Sequence, residues 1–236
     1  MKKRSPRYQE IIKNTDLVKA YPAKEALDVA LKTGTAKFDE TVDVAFKLGV
    51  DPRHADQMIR GAIALPAGTG KTTTVLVITS GEKIKEAEDA GADIVGSDDI
   101  IAKIQGGWME FDRVIASPEM MGKIGRVARI LGPRGLMPNP KLGTVTPNIA
   151  NAVKEQKAGK VQYRTEKNGI VHVPIGKKSF GSDRLYENFK AIASVIVRSK
   201  PVSAKGTYLK SISVSTTMGP GVRVDTADAQ QVAEKA

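Results

Sequence analysis

Lys210-Ser211-Ile212-Ser213-Val214-Ser215-Thr216-Thr217-Met218-Gly219-Pro220-Gly221-Val222-Arg223-Val224 is the stretch on which the arrangement of this 236-residue chain turns. Tyr208, Lys210, Ile212 and Val214 alternate with Leu209, Ser211, Ser213 and Ser215, and this period of two predicts a half-buried β-strand. The strand stops at Thr216–Gly221, a run of hydroxyl-bearing and small residues in which Pro220 lacks an amide hydrogen and the glycines permit positive φ. Such a loop lets a flat ligand approach the backbone. An ordinary polar turn has the same composition.

The strand needs partners, and the nearest upstream are Lys160–Glu166 and Ile170–Ile175, which flank Asn168-Gly169 and predict a hairpin. Ser182 is placed to cap a helix whose Leu185, Phe189, Ile192, Ala193 and Ile196 share one face, and Pro201 ends it. Further partners lie at the other end of the chain. Helices are predicted from Pro6 to about Lys19 and from Pro22 to Lys32, with Gly34 as the stop. Glu40, Val42, Val44, Phe46 and Leu48 then alternate with Thr41, Asp43, Ala45 and Lys47, and Ile59–Leu65 reads as another strand.

Between these segments the pattern changes to strand and helix in turn. Val75–Ile78, Asp93–Val95 and Val114–Ala116 are short strands. Helices are expected over Glu82–Ala90, from a cap at Ser97 to Ile104, from Pro118 to about Leu131, and from Thr146-Pro147 to Gly159. The chain therefore reads as α/β and α+β: a discontinuous split β-α-β domain of residues 1–66 and 160–236, interrupted by a Rossmann-like α/β domain of residues 67–159.

Charge divides the chain in the same way. The formal total is +11, distributed as +3 over residues 1–66, +1 over 67–159 and +7 over 160–236, so the discontinuous domain carries the basic surface expected of a polyanion binder. Cysteine is absent and His54 and His172 lie far apart, which leaves no disulfide framework and no expectation of a metal or other cofactor. No run of 18 apolar residues suggests a membrane span, and the charged start is unlike a signal peptide, so a cytoplasmic protein is expected.

Gly68-Thr69-Gly70-Lys71-Thr72 resembles the end of a phosphate-binding P-loop, but Leu65 occupies the position of the first glycine and the best strand follows the loop instead of preceding it. The paired carboxylates Asp39-Glu40 and Asp98-Asp99 read as solvated strand ends and helix-capping groups, and no nucleophile set is visible, so an enzyme is not expected. A nucleotide-dependent enzyme and a basic adaptor remain the alternatives to an RNA-binding protein. Gly132-Pro133-Arg134-Gly135-Leu136-Met137-Pro138-Asn139-Pro140-Lys141 is a stiff loop that holds Arg134 and Lys141 outward.

That loop, together with Gly81–Ala87, Ala36–Val42 and Ser215–Pro220, resembles the L-one family of bacterial large-subunit ribosomal proteins over nearly the whole chain. The resemblance implies a two-domain protein that binds structured large-subunit ribosomal RNA and forms the mobile stalk beside the tRNA exit site. It also implies repression of the protein's own messenger through a similar RNA element. The implied partners are ribosomal RNA, operon messenger and exit-site tRNA, with no membrane, and the free protein is expected to be monomeric. By position, the family's RNA surface falls on Lys37, Phe38, Thr41, Ser211, Thr216, Thr217, Met218 and Gly219, with Arg134 and Lys141 on the inserted domain. Lys167 and His172, near the expected hairpin, are added from charge and placement.

Overall fold

Ser5 starts the first helix by accepting the Tyr8 N–H at 3.4 Å. In a computed structural model the protein is described over residues 5–81 and 83–234. Helix α1 (Pro6–Asn14) is shorter than its pattern suggests, because the Asp16 carboxylate takes the N–H groups of Val18 and Lys19 into a tight turn. Then follow β1 (Ala20–Tyr21), α2 (Ala23–Thr33, closed by Gly34), β2 (Thr41–Leu48) and β3 (Arg60–Ala64).

The middle of the chain alternates as expected through β4 (Val75–Ile78), α3 (Lys83–Asp89), β5 (Ile94–Gly96), α4 (Asp98–Gln105) and β6 (Arg113–Ala116). Glu82, the expected start of a helix, lies outside the described residues. Ser97 precedes α4 without capping it through its side chain; instead the Asp99 carboxylate accepts the Ser97 N–H at 2.9 Å. The single helix expected from Pro118 is broken into α5 (Met121–Ile124) and α6 (Ala128–Leu131) by 3₁₀ turns, one of them beginning at Gly125, where glycine weakens the α-helix. Helix α7 (Ile149–Lys157) starts beyond Thr146-Pro147, where Asn148 accepts the Asn151 N–H.

The last segment holds β7 (Lys160–Arg164), β8 (Ile170–Lys177), α8 (Gly181–Arg198), β9 (Leu209–Thr216), β10 (Val222–Val224) and α9 (Thr226–Glu234). Ser182 lies inside the first turn of α8 and does not cap it. The hairpin is corrected too. Gly169 alone takes a left-handed φ of 73° and its N–H bonds Glu166 O, but β7 then leaves to pair with β3 while β8 pairs with β2. The two arms meet at the bridge Thr165–Val171, where Glu166 N–H bonds Ile170 O at 2.8 Å.

Residues up to Gly70 and those from Val161 onward form one compact unit, and Lys71–Lys160 form the other. In the first unit the five strands run in the order β1-β10-β9-β2-β8, with β2 antiparallel to both neighbours. Val42, Val44, Phe46 and Leu48 of β2 enter a core with Leu27 of α2 and Phe189 of α8, whose ring lies 6.1 Å from that of Phe46. In the second unit the parallel sheet β5-β4-β6 is covered on both faces, so all four residues of β4 are buried and no alternation is left in its sequence. The protein is a mixed α/β fold.

A candidate nucleic-acid interface

The covered face of the five-stranded sheet is apolar, so its opposite face is set by the other half of each alternation. Ser211, Ser213 and Ser215 of β9 lie beside Lys47, Ala45 and Asp43 of β2, and Ala45 lies beside His172 of β8. Arg223 of β10 lies beside Ser213. The result is a pavement of small side chains edged by Lys47, His172 and Arg223, on which a sugar-phosphate chain or a base can lie close to the backbone. Asp43 is half-buried there, and burial raises its carboxyl above the ordinary aspartate range against the pull of His172 and Lys177. A bulge opposite Lys47/Leu48 shifts the register of β9, so Lys210 and Ser211 are both exposed and Leu209 turns inward, contrary to simple alternation.

One end of this face is built around Glu40. The carboxylate is fully buried, with Oε1 accepting the Ala36 N–H at 2.8 Å and Oε2 the Met218 N–H at 2.9 Å. Burial disfavours its charge, but the Met218 and Ala36 N–H groups outweigh that cost and hold the pKa below the ordinary glutamate range. The Thr216 hydroxyl adds a further pull short of a well-formed hydrogen bond. Glu40 is therefore no solvated strand end. Its position in phase with Val42 and Val44 is the sequence signal that marks it as inward-facing.

This clamp joins two stretches nearly 180 residues apart. Thr217 N–H donates to Thr41 O, and Thr217 Oγ1 accepts the Thr41 N–H, both at 3.0 Å. Lys37, Phe38, Thr217 and Met218 are thereby gathered with Thr41 at one edge, and Phe38 and Met218 remain 54% and 50% exposed. Lys177 Nζ donates to Thr41 Oγ1 at 2.9 Å, and an Arg7 N–H reaches Met218 O at 3.5 Å. Asp39 accepts the Ser179 hydroxyl and N–H, which pull its pKa down.

Some expected residues stand elsewhere. Thr216 is buried and faces the core. Gly219 does not use the positive φ that glycine permits; it is needed because a Cβ there would run into Thr216 Oγ1 and lie 3.0 Å from Thr33 Oγ1. Ser211 lies opposite Lys47, about 20 Å along the strand from Thr217 at 3.3 Å per residue. Lys167 is in the exposed turn after β7, where it lines a cleft with Arg53 and Arg164, and His172 Nε2 is 3.8 Å from the Glu166 carboxylate. Glu40, Arg7, Lys177, Arg53 and Arg164 were not singled out by sequence as site residues. Arg134 and Lys141 are exposed on the second unit, where Asn139 holds the backbone at Lys141.

The P-loop-like stretch has a local explanation. Lys71 Nζ bonds Asp112 at 2.7 Å, and a Cβ on Gly70 would press on the Phe180 ring at 2.9 Å. Among the described residues no group of carboxylates, histidines or cysteines is arranged to hold a metal, and no helix is long and apolar enough to cross a membrane. Residues 30–220, from within α2 through the whole inserted unit to Pro220, match the ribosomal protein L1p/L10e family. With four-fifths of its length matched, the chain belongs to the ribosomal protein L1p/L10e family and is a large-subunit ribosomal protein that binds ribosomal RNA.

Proposed function

We propose that a structured segment of large-subunit ribosomal RNA is held at the Glu40-clamped edge, by Lys37, Phe38, Thr41, Thr217, Met218 and the Gly219 backbone, and extends along the small-residue face toward Ser211. The chain forms the mobile stalk from which deacylated tRNA leaves the exit site, and it represses its own messenger by presenting the same edge to a similar RNA element. It works without catalysis, as a monomer when free, in the cytoplasm and on the ribosome. Arg134 and Lys141 supply phosphate contacts from the second unit.

The observation that carries this reading is the single buried carboxylate that fixes both halves of the edge while leaving an aromatic and a thioether side chain in solvent. Exposed apolar side chains of this kind stack on unpaired bases or sugars, and Lys37 beside them meets phosphate. Titration of ribosomal RNA and messenger leader fragments at several salt concentrations tests it. Met218→Ala and Thr217→Val are expected to weaken both complexes by about 1–3 kcal/mol with the salt slope unchanged. Lys37→Ala is expected to make the slope shallower by about one unit. Unchanged affinity in both uncharged variants places the RNA elsewhere, and loss for one RNA alone rejects a shared site.

A further inference from the structure

In the second unit the chain passes from β4 to β5 on one side and then crosses back to β6 on the other, so the strand order reverses between β4 and β6. Doubly wound sheets open a crevice outside the carboxyl ends of their strands at such a reversal, and that crevice is where they take phosphorylated ligands. The first residues beyond β4 and β6 are Thr79 and Ser117. They are neighbours, since Ile78 pairs with Ala116 and Ser117 N–H bonds Ile78 O at 3.1 Å. Both follow the alternation of Val77 and Ile115, which places their hydroxyls on the face covered by α3 and α7. Each side chain is fully buried, and among the described residues neither hydroxyl has a hydrogen-bond partner.

Two adjacent buried hydroxyls without partners, at the mouth of a parallel sheet, are groups waiting for an acceptor. The loop after Thr79 leaves room for a ligand. Ser80 and Gly81 are exposed, Gly81 takes a φ of 68°, and nothing lies within 4 Å of where its Cβ would be. A left-handed residue in a turn is one half of the backbone arrangement that directs successive N–H groups at an anion. Lys83 bridges the two loops by bonding Glu119 at 3.3 Å, an exposed pair that opens at little cost and leaves an ammonium group at the crevice.

We propose that the crevice between the Thr79–Gly81 turn and the Ser117–Glu119 loop, beside Lys83, binds a phosphoryl group, as inorganic phosphate or a small phosphate monoester. Thr79 and Ser117 donate their hydroxyl protons, the Ser80-Gly81 backbone donates its N–H groups, and Lys83 leaves Glu119 to balance the charge. The site lies within the second unit and does not depend on the RNA edge.

The test is a titration of the ¹⁵N-labelled full chain with inorganic phosphate and, separately, adenosine monophosphate, read at the Ser80, Gly81 and Ser117 amides. Saturable shifts are expected there, with affinity at least tenfold weaker in the Thr79→Val/Ser117→Ala double variant and several-fold tighter in Glu119→Gln. Equal affinities make the phosphoryl group the whole ligand, and response to the nucleotide alone makes it a monoester; either supports the site. Without ligand, the double variant is expected to melt no lower than the parent, because no hydrogen bond is lost. Absence of saturable shifts with both ligands, or undiminished affinity in the double variant, overturns the proposal. A lower melting point of the unliganded double variant also overturns it, by showing that a buried water already satisfies the hydroxyls.

Discussion

A carboxylate with no exposed surface is costly unless its charge is matched, and Glu40 is matched by two N–H groups from opposite ends of the chain. Because its folded pKa lies below the ordinary glutamate value of 4.5, the clamp contributes stability above that pH and loses it as pH falls through the folded value. Glu40→Gln keeps the shape but points an amide donor at one of the N–H groups, so it is expected to cost about 1–3 kcal/mol at neutral pH. The variant should also flatten the acid limb of the stability curve, and urea titrations between pH 3 and 7 read both effects. A steep acid limb surviving in Glu40→Gln assigns it to another carboxylate. Gly219 belongs with Glu40. Its α-hydrogen faces two threonine hydroxyls, so Gly219→Ala is expected to displace Met218 and lose about 1–3 kcal/mol of stability by overpacking, checked by thermal melting beside RNA affinity.

At the scale of elements, glycines in the same conformation are held to different degrees. Gly135 and Gly169 have φ of 70° and 73°, but a Cβ on Gly135 meets nothing, whereas one on Gly169 lies 3.2 Å from Val50 O and 3.3 Å from Leu48 O. Gly135→Ala is expected to cost about 1 kcal/mol for the left-handed conformation alone, and Gly169→Ala about 2 kcal/mol or more, measured as shifts in the urea midpoint. Equal losses would show that backbone strain alone decides. Asn168-Gly169 announced the turn in the sequence, but not which strand each arm would join: β3 and β2 lie more than 100 residues upstream, and turn chemistry carries no information at that range. The strands with one open face, β2 above all, were legible from their period. The bulge that exposes both Lys210 and Ser211 was not, because it arises from pairing with Lys47 and Leu48. The exposed side of the edge, Lys37 to Thr41 and Thr217 to Gly219, was legible through family resemblance. The inward Glu40 was passed over because its neighbour Asp39 is an ordinary surface carboxylate.

For the molecule as a whole, the division into units invites removal of one. Thr165 N–H bonds Ile59 O at the far ends of β7 and β3, so the chain leaves along β3 and returns along β7 side by side. A variant joining Gly70 to Val161 through a short glycine linker is expected to fold and to stay within about 2 kcal/mol of the parent's RNA affinity, since closing a short loop adds little entropy cost. A larger loss in a folded product assigns the dominant contacts to Arg134, Lys141 or their neighbours. ATP and GTP are expected to show no binding that Lys71→Ala abolishes, because Asp112 already holds that ammonium group; calorimetry with the variant reads this directly. The β2–β9 pairing also bears on manufacture. A polypeptide emerges amino end first, so Glu40 and Phe38 appear early and stand idle until Met218 arrives, with a whole second unit made in the interval. A nascent or prematurely terminated chain has only half of this edge. If the edge holds RNA as proposed, aborted synthesis yields no fragment that competes for it, and feedback acting through it counts finished copies alone.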